Sequence, residues 1–267
     1  MAEFDPGYFS EPFLSLCTAA PGQETYPSSG FRYEWGPVFH RGRLDGNARV
    51  LIVGQDPAQH ETIAGRILVG AAGHRIQGFL EKLGMVRNYV LINTFLYSIY
   101  GSLSAASVKS AGIATYRNQW FDALMPGKIE VVVALGDAAD SAWQLWCASK
   151  SSPPAVAYAK IHHPTWPESA SAHQGGSVAD LTKQMLAQWN SAIQQLRGAL
   201  SQPDVTGAYQ PYGPAFQAAD LVEIPAYDLP AGSPDWMRGS GWAQRTGATA
   251  TDKRYTITVT VPAAGRI

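Results

Sequence analysis

Cysteine is almost missing from this chain: Cys17 and Cys147 are the only two in 267 residues. Two thiols do not make the four-ligand set of a structural zinc or an iron–sulfur cluster. A pair of buried, reduced thiols is the expected state, rather than a disulfide. No apolar run approaches the roughly 20 residues of a membrane-spanning helix. The first residues, Met1-Ala2-Glu3-Phe4-Asp5, are acidic and lack the basic-then-apolar layout of a signal peptide. A cytoplasmic location is the default expectation. An excess of positive charge is missing too. The formal net charge is −1, whereas a chain that relies on bulk charge to hold phosphates is commonly basic. Any polyanionic partner must therefore be met by a local basic surface. There is no internal repeat and no low-complexity tract. With 46% apolar residues, the chain can bury one large core.

What the chain does contain is a series of short apolar runs. They are Val50-Leu51-Ile52-Val53, Tyr89-Val90-Leu91-Ile92, Val131-Val132-Val133-Ala134-Leu135 and Ala155-Val156-Ala157-Tyr158. The first and third are continuous, as in strands covered on both faces of a parallel sheet. Between them, Ile76, Phe79, Leu80 and Leu83 repeat at helical spacing before Gly84, a good stop. Tyr116, Trp120 and Leu124 mark a second helix, and Ala139, Trp143 and Trp146 a third. Val178, Leu181, Met185, Trp189, Ala192, Leu196 and Leu200 trace the stripe of a long amphipathic helix with Ser177 as its N-cap. This alternation predicts one α/β domain over residues 1–200, a three-layer α/β/α arrangement around a central four-stranded parallel sheet. Ligands of such sheets sit beyond the carboxyl ends of the strands.

Residues 201–240 are rich in Pro, Gly and Ser, and from Tyr255 to Val261 apolar residues alternate with threonines. Residues 201–267 are expected to form an extension that wraps the same domain. Its alternating stretch is expected as a strand, on a sheet edge or in a small hairpin.

Three groups of polar residues fall where the strands end. Gly54-Gln55-Asp56-Pro57 joins a close backbone turn to a carboxylate and a residue that fixes chain direction. His162-His163-Pro164-Thr165-Trp166 follows the fourth strand. Neighbouring residues of an extended chain point to opposite sides, so these histidines do not share a metal ion, and the remaining histidines show no ligand spacing with them. A neutral imidazole that donates to a developing anion suits this position better. Asn93 closes the second strand with a planar amide, one acceptor beside two donors, able to read the edge of a base.

These segments together resemble the uracil-DNA glycosylase superfamily, over about residues 30–197. Gly54-Gln55-Asp56-Pro57 matches its first motif, and His163-Pro164-Thr165 its His-Pro-Ser motif. Asn93 matches the asparagine that reads uracil. Gly65-Arg66-Ile67-Leu68-Val69-Gly70-Ala71-Ala72-Gly73 is similar to a run of the iron–sulfur branches, as is the stretch from Val131 to Ala139. The four cluster cysteines of those branches are missing, so a branch without the cluster is implied, with no metal and no cofactor. The resemblance implies removal of uracil from DNA in base-excision repair by a monomeric enzyme. Asp56 would face the sugar and the water, and His163 would donate to uracil O2. Gly54, Gln55, Asn93, Leu68 and Phe95 would hold the base. Pro164, Thr165 and Trp166 would meet the DNA, with Trp166 as the wedge or else as a core residue. Two positions depart from the pattern. Leu68 stands where a phenylalanine usually stacks on uracil, with Phe95 as a replacement. Ala58 stands where a tyrosine bars the methyl group of thymine. They motivate one alternative, a glycosylase for hypoxanthine or xanthine, while the missing stacking residue and the C-terminal extension motivate a second, a slow or non-catalytic protein that holds damaged or single-stranded DNA. A small-molecule hydrolase finds no support, since the chain has neither a Gly-x-Ser-x-Gly elbow nor a Gly-Lys-Ser loop.

Overall fold

The computed structural model describes Phe4, residues 10–101 and residues 105–263. In chain order its main elements are α1 (Phe13–Thr18), β1 (His40–Gly42), β2 (Val50–Gly54), α2 (Gln59–Ala64), α3 (Ala71–Leu83), β3 (Tyr89–Asn93), α4 (Ala105–Lys109), α5 (Ala111–Leu124), β4 (Val131–Leu135), α6 (Asp137–Ala148), β5 (Ala157–Ile161), α7 (Trp166–Gln174), α8 (Val178–Arg197), β6 (Ala243–Arg245), α9 (Ala250–Tyr255) and β7 (Ile257–Val259). None of the described helices is long and apolar enough to cross a membrane.

The central sheet has five strands in the order β1-β3-β2-β4-β5. β3, β2, β4 and β5 are parallel, and β1 pairs antiparallel to β3. The expected four parallel strands are present, but the sheet is not purely parallel. The added edge strand, His40-Arg41-Gly42, is buried throughout although it carries two polar side chains. Such a strand leaves no apolar run to read. β5 also begins two residues later than its apolar run, because its pairing with β4 starts at Ala157 opposite Val131.

The parallel strands alternate sides, as the pleat requires. Leu51, Val53, Val90, Ile92, Val132 and Ala134 face a core completed by α1, α5 and α6, where Trp120, Phe121, Trp143 and Trp146 pack. Val50, Ile52, Leu91, Val131 and Val133 face α3 and α8, against Phe79, Leu80, Met185, Trp189 and Ile193. The caps follow local chemistry. The Ser177 hydroxyl accepts the Asp180 N–H at the start of α8, and Gly84 closes α3 with φ of 90°. Val178, first in the α8 stripe, is 42% exposed, so burial starts a turn later than the stripe suggests.

Residues beyond 200 are tied to this core by polar contacts. Asp204 Oδ2 accepts the N–H groups of Val86, Arg87 and Asn88 at 2.7–2.9 Å, capping the turn into β3. Asp228 places its carboxylate 2.7 Å from Arg41 on β1. A third apolar cluster joins Ala64 and Val69 to Ile224, Leu229, Met237 and Trp242. β6 and β7 form a small antiparallel sheet of their own, with Arg245 opposite Ile257. The strand expected from Tyr255 is shorter than its alternation. Tyr255 ends α9, because the Thr249 hydroxyl and the Asp252 carboxylate cap each other's N–H groups and start a helix there.

Candidate active site

The first parallel strand, β2, lies between β3 and β4. The chain therefore leaves in opposite directions at the carboxyl ends of β2 and β4. That switch point opens a crevice, and here it widens into a cleft of about 1080 Å³ lined from β2 by Gln55 and Asp56, from β4 by Gly136 and Asp137, and from β5 by His162 and His163. Leu68, Thr165 and Trp166 complete the expected residues on its walls.

Asp56 is held on both sides. Its Oδ2 accepts the Ile99 N–H at 2.9 Å and its Oδ1 accepts the Gln55 amide at 3.1 Å. Burial outweighs these bonds and pushes its carboxyl up to about 6. His163 Nδ1 accepts the Thr165 N–H at 3.3 Å and lies 2.9 Å from the Thr165 hydroxyl. A neutral ring then carries its proton on Nε2. Burial, with the Arg75 guanidinium nearby, brings the imidazolium down to about 4, so at neutral pH the ring is an uncharged donor.

The loop that carries Leu68 is braced by a residue that the sequence pattern did not single out. Glu61 accepts the N–H groups of Ala58, Val69 and Gly70 at 3.0–3.3 Å. The capping signature was hidden because position 58 is alanine rather than serine or threonine. Leu68 itself has φ of 52°, a left-handed conformation that costs a leucine on the order of 1 kcal/mol and is typical of functional loops.

Two expected residues lie elsewhere. Asn93 lines a separate cavity of about 10 Å³ with Thr94, Tyr116, Arg117 and Trp120, room for about one water molecule rather than a base. Its Oδ1 occupies the space that a Cβ on Gly54 would fill, so a side chain at 54 would displace the Asn93 amide. Phe95 is fully buried, with its ring 5.6 Å from that of Phe31; the chain turns after β3, out of the strand's alternation, and brings it into the same core as Val90 and Ile92. Gly54 and Pro164 are buried next to the cleft residues. Trp166 opens α7 with its ring stacked on His162, 3.8 Å between centroids. The two adjacent histidines thus diverge, one toward Trp166 and the other toward Thr165. Cys17 and Cys147 are free and half-buried. Among the described residues no group of three or more His, Cys, Asp or Glu is placed to hold a metal.

An enclosed carboxylate and a neutral imidazole at the switch point of a three-layer α/β sheet form a site suited to bond cleavage with charge separation. Residues 41–190, more than half of the chain, match the Uracil DNA glycosylase superfamily, and the chain belongs to it. Membership places it among DNA glycosylases of base-excision repair, which act on damaged DNA. A search of curated proteins finds no significant match.

Proposed function

We propose that the protein hydrolyses the N-glycosidic bond of uracil in DNA and leaves an abasic site. The observation that carries this reading is the pairing of Asp56 and His163 on one cleft, with Asp56 still mostly ionised near neutral pH despite its upward shift and His163 kept neutral by its downward one. Cleavage develops positive charge on the sugar and negative charge on the departing base. The ionised Asp56 stabilises the first and orients the attacking water. The Nε2–H of neutral His163 donates to O2 of the base as it gains charge, without the cost of first losing a proton. Water is the nucleophile in this reading. Lys160, on the cleft wall, is held protonated by Asp137 at 2.6 Å and by Asp140 at 3.3 Å. A protonated amine does not attack the sugar.

The choice of base is the finer part of the proposal. Gln55 and Leu68, on the cleft walls, are left to select the base, because Asn93 lines a separate small cavity. Asn93→Asp is therefore expected to leave the preference for uracil over cytosine unchanged, measured as the ratio of excision rates on matched oligonucleotides, and a lowered ratio would make Asn93 the reader. A second reading, removal of hypoxanthine or xanthine, is favoured by the small exposed Ala58 beside a cleft far wider than a pyrimidine. Labelled single- and double-stranded oligonucleotides with one uracil, hypoxanthine or xanthine, cleaved by alkali after incubation, separate the readings. Breaks at uracil support the first. Breaks only at a purine replace it with the second. Retention without breaks overturns both in favour of a binding protein.

His163→Ala is expected to slow excision about 100-fold under single-turnover conditions. His163→Gln, which retains a donor, should recover part of that rate. Equal losses in both variants would exclude hydrogen-bond donation as the role of His163.

A further inference from the structure

Next to the cleft, arginines and aromatic rings alternate in one continuous stack that ends in the C-terminal extension. The Arg32 guanidinium lies 4.9 Å from the Trp35 ring and 5.4 Å from the Tyr100 ring. The Arg254 guanidinium lies 4.3 Å from that same Tyr100 ring and 5.2 Å from Tyr255. The order is therefore Trp35, Arg32, Tyr100, Arg254, Tyr255. One part of the stack is fastened to the active site. Arg32 donates to the Ser98 hydroxyl at 3.2 Å and to the carbonyl of Ile99, whose own N–H holds Asp56. Another part is fastened to the extension, where Arg254 donates to Glu34 at 2.8 Å and to the carbonyls of Ser28 and Phe31.

The inner guanidiniums are buried and occupied, but the outer groups are not. Tyr255 is 61% exposed. Arg245 on β6 and Lys253 on α9 are exposed, and neither side chain has a hydrogen bond or ion pair among the described residues. The two carboxylates on these segments are already engaged, Glu34 by Arg254 and Asp252 by the Thr249 N–H. The Arg245 charge is near enough to oppose the ionisation of Arg32, which fits one shared basic surface. A chain with a net charge of −1 needs such a concentration to hold a polyanion. Free cations beside an exposed aromatic face, joined to a base-excision cleft, suit a nucleic-acid strand, with phosphates for the cations and a base for the ring.

We propose that Arg245, Lys253 and Tyr255 form a platform for the DNA strand that flanks the nucleotide in the cleft. Arg245 and Lys253 meet its phosphates, and Tyr255 stacks on an unpaired base. The inference rests on the reading of the cleft as a base-excision site. It gives the extension, which lies outside residues 41–190, a part in substrate binding.

The test uses the full chain and a fluorescein-labelled single strand carrying a tetrahydrofuran abasic-site analogue, a probe that does not depend on which base is removed. Anisotropy titrations across a salt series read both Kd and its salt dependence. The Arg245→Ala/Lys253→Ala variant is expected to raise Kd about tenfold and to flatten the log–log salt slope by about 1.4, from two lost phosphate contacts. Tyr255→Ala is expected to raise Kd at least about fivefold with the slope unchanged, the signature of a lost stacking contact. Lys183, an exposed lysine on α8, serves as a control for loss of a surface cation away from the platform, and Lys183→Ala should alter neither quantity. Unchanged Kd and slope in the double variant would overturn the platform, as would an equal effect from Lys183→Ala. The two proposals fail separately. Excision by the wild type with Kd indifferent to these substitutions removes the platform alone. Tight, substitution-sensitive binding without excision of any base removes the catalytic reading alone.

Discussion

Replacing Asp56 with asparagine is expected to slow base excision about 10²–10³-fold and to leave the fold at least as stable as that of the wild type. The two effects share one cause. The Asp56 carboxyl is pushed from its ordinary 3.8 up to about 6, chiefly by burial. Between those values the folded chain binds a proton that the unfolded chain has released. The stability contributed by protonated Asp56 is thus fully present below about pH 3.8 and is lost as the pH rises through about 6. At neutral pH the ionised carboxylate opposes folding, as catalytic groups often do. Asparagine keeps the shape and one acceptor, removes the charge and loses the electrostatic stabilisation of the sugar cation. Denaturant unfolding at neutral pH should give a midpoint equal to or above that of the wild type, with the difference shrinking in acid. The same ionisation sets the pH profile of the reaction. Single-turnover rates should fall about tenfold per unit below about pH 6. His163, neutral above about pH 4, adds no limb in that range. Rates that stay flat to about pH 5 would exclude an ionised Asp56 from the mechanism.

Asp228→Ala is expected to cost about 3–5 kcal/mol of stability, although Asp228 lies outside the catalytic region. Its carboxylate and the Arg41 guanidinium are fully buried and 2.7 Å apart. Tyr89 donates to the same oxygen at 2.6 Å, and Arg41 also donates to Gln77 at 2.9 Å and to the Ile67 carbonyl at 3.1 Å. Burial pushes the carboxyl up, and Arg41 and Tyr89 draw it back. Removing Asp228 strands a guanidinium at the edge of the sheet. The double variant Arg41→Leu/Asp228→Leu should recover most of the loss, because neither charge is then left unpaired. Urea unfolding followed by circular dichroism and by tryptophan fluorescence checks both points. We expect coincident transitions, with residues beyond 200 unfolding together with the sheet. A loss below about 1 kcal/mol, or a separate early transition, would show that the extension is a dispensable cover.

The alternating and continuous apolar runs specified β2, β3 and β4 almost to the residue, since a strand covered on both faces has only apolar side chains to show. Ser177 and Gly84 marked helix ends through local backbone chemistry. The polar groups at the strand ends were legible for the same reason: the topology places them beyond the carboxyl edge of the sheet, and Gln55, Asp56, His163 and Thr165 now line one cleft. Those were properties of neighbouring residues, and the sequence by itself determined them. Other features depended on partners far away in the chain. β1 is a strand without an apolar run because Arg41 finds Asp228, 187 residues later. Asn93 and Phe95 were read as facing a base, but packing on Gly54 and Phe31 directed one to a small cavity and the other to the core. Trp166 settled on its neighbour His162. The Arg32–Tyr100–Arg254 stack joins three segments that share no motif. A side chain's direction within one element follows from its periodicity. The group that meets it from another element follows from how the layers close, and only the tertiary structure decided that.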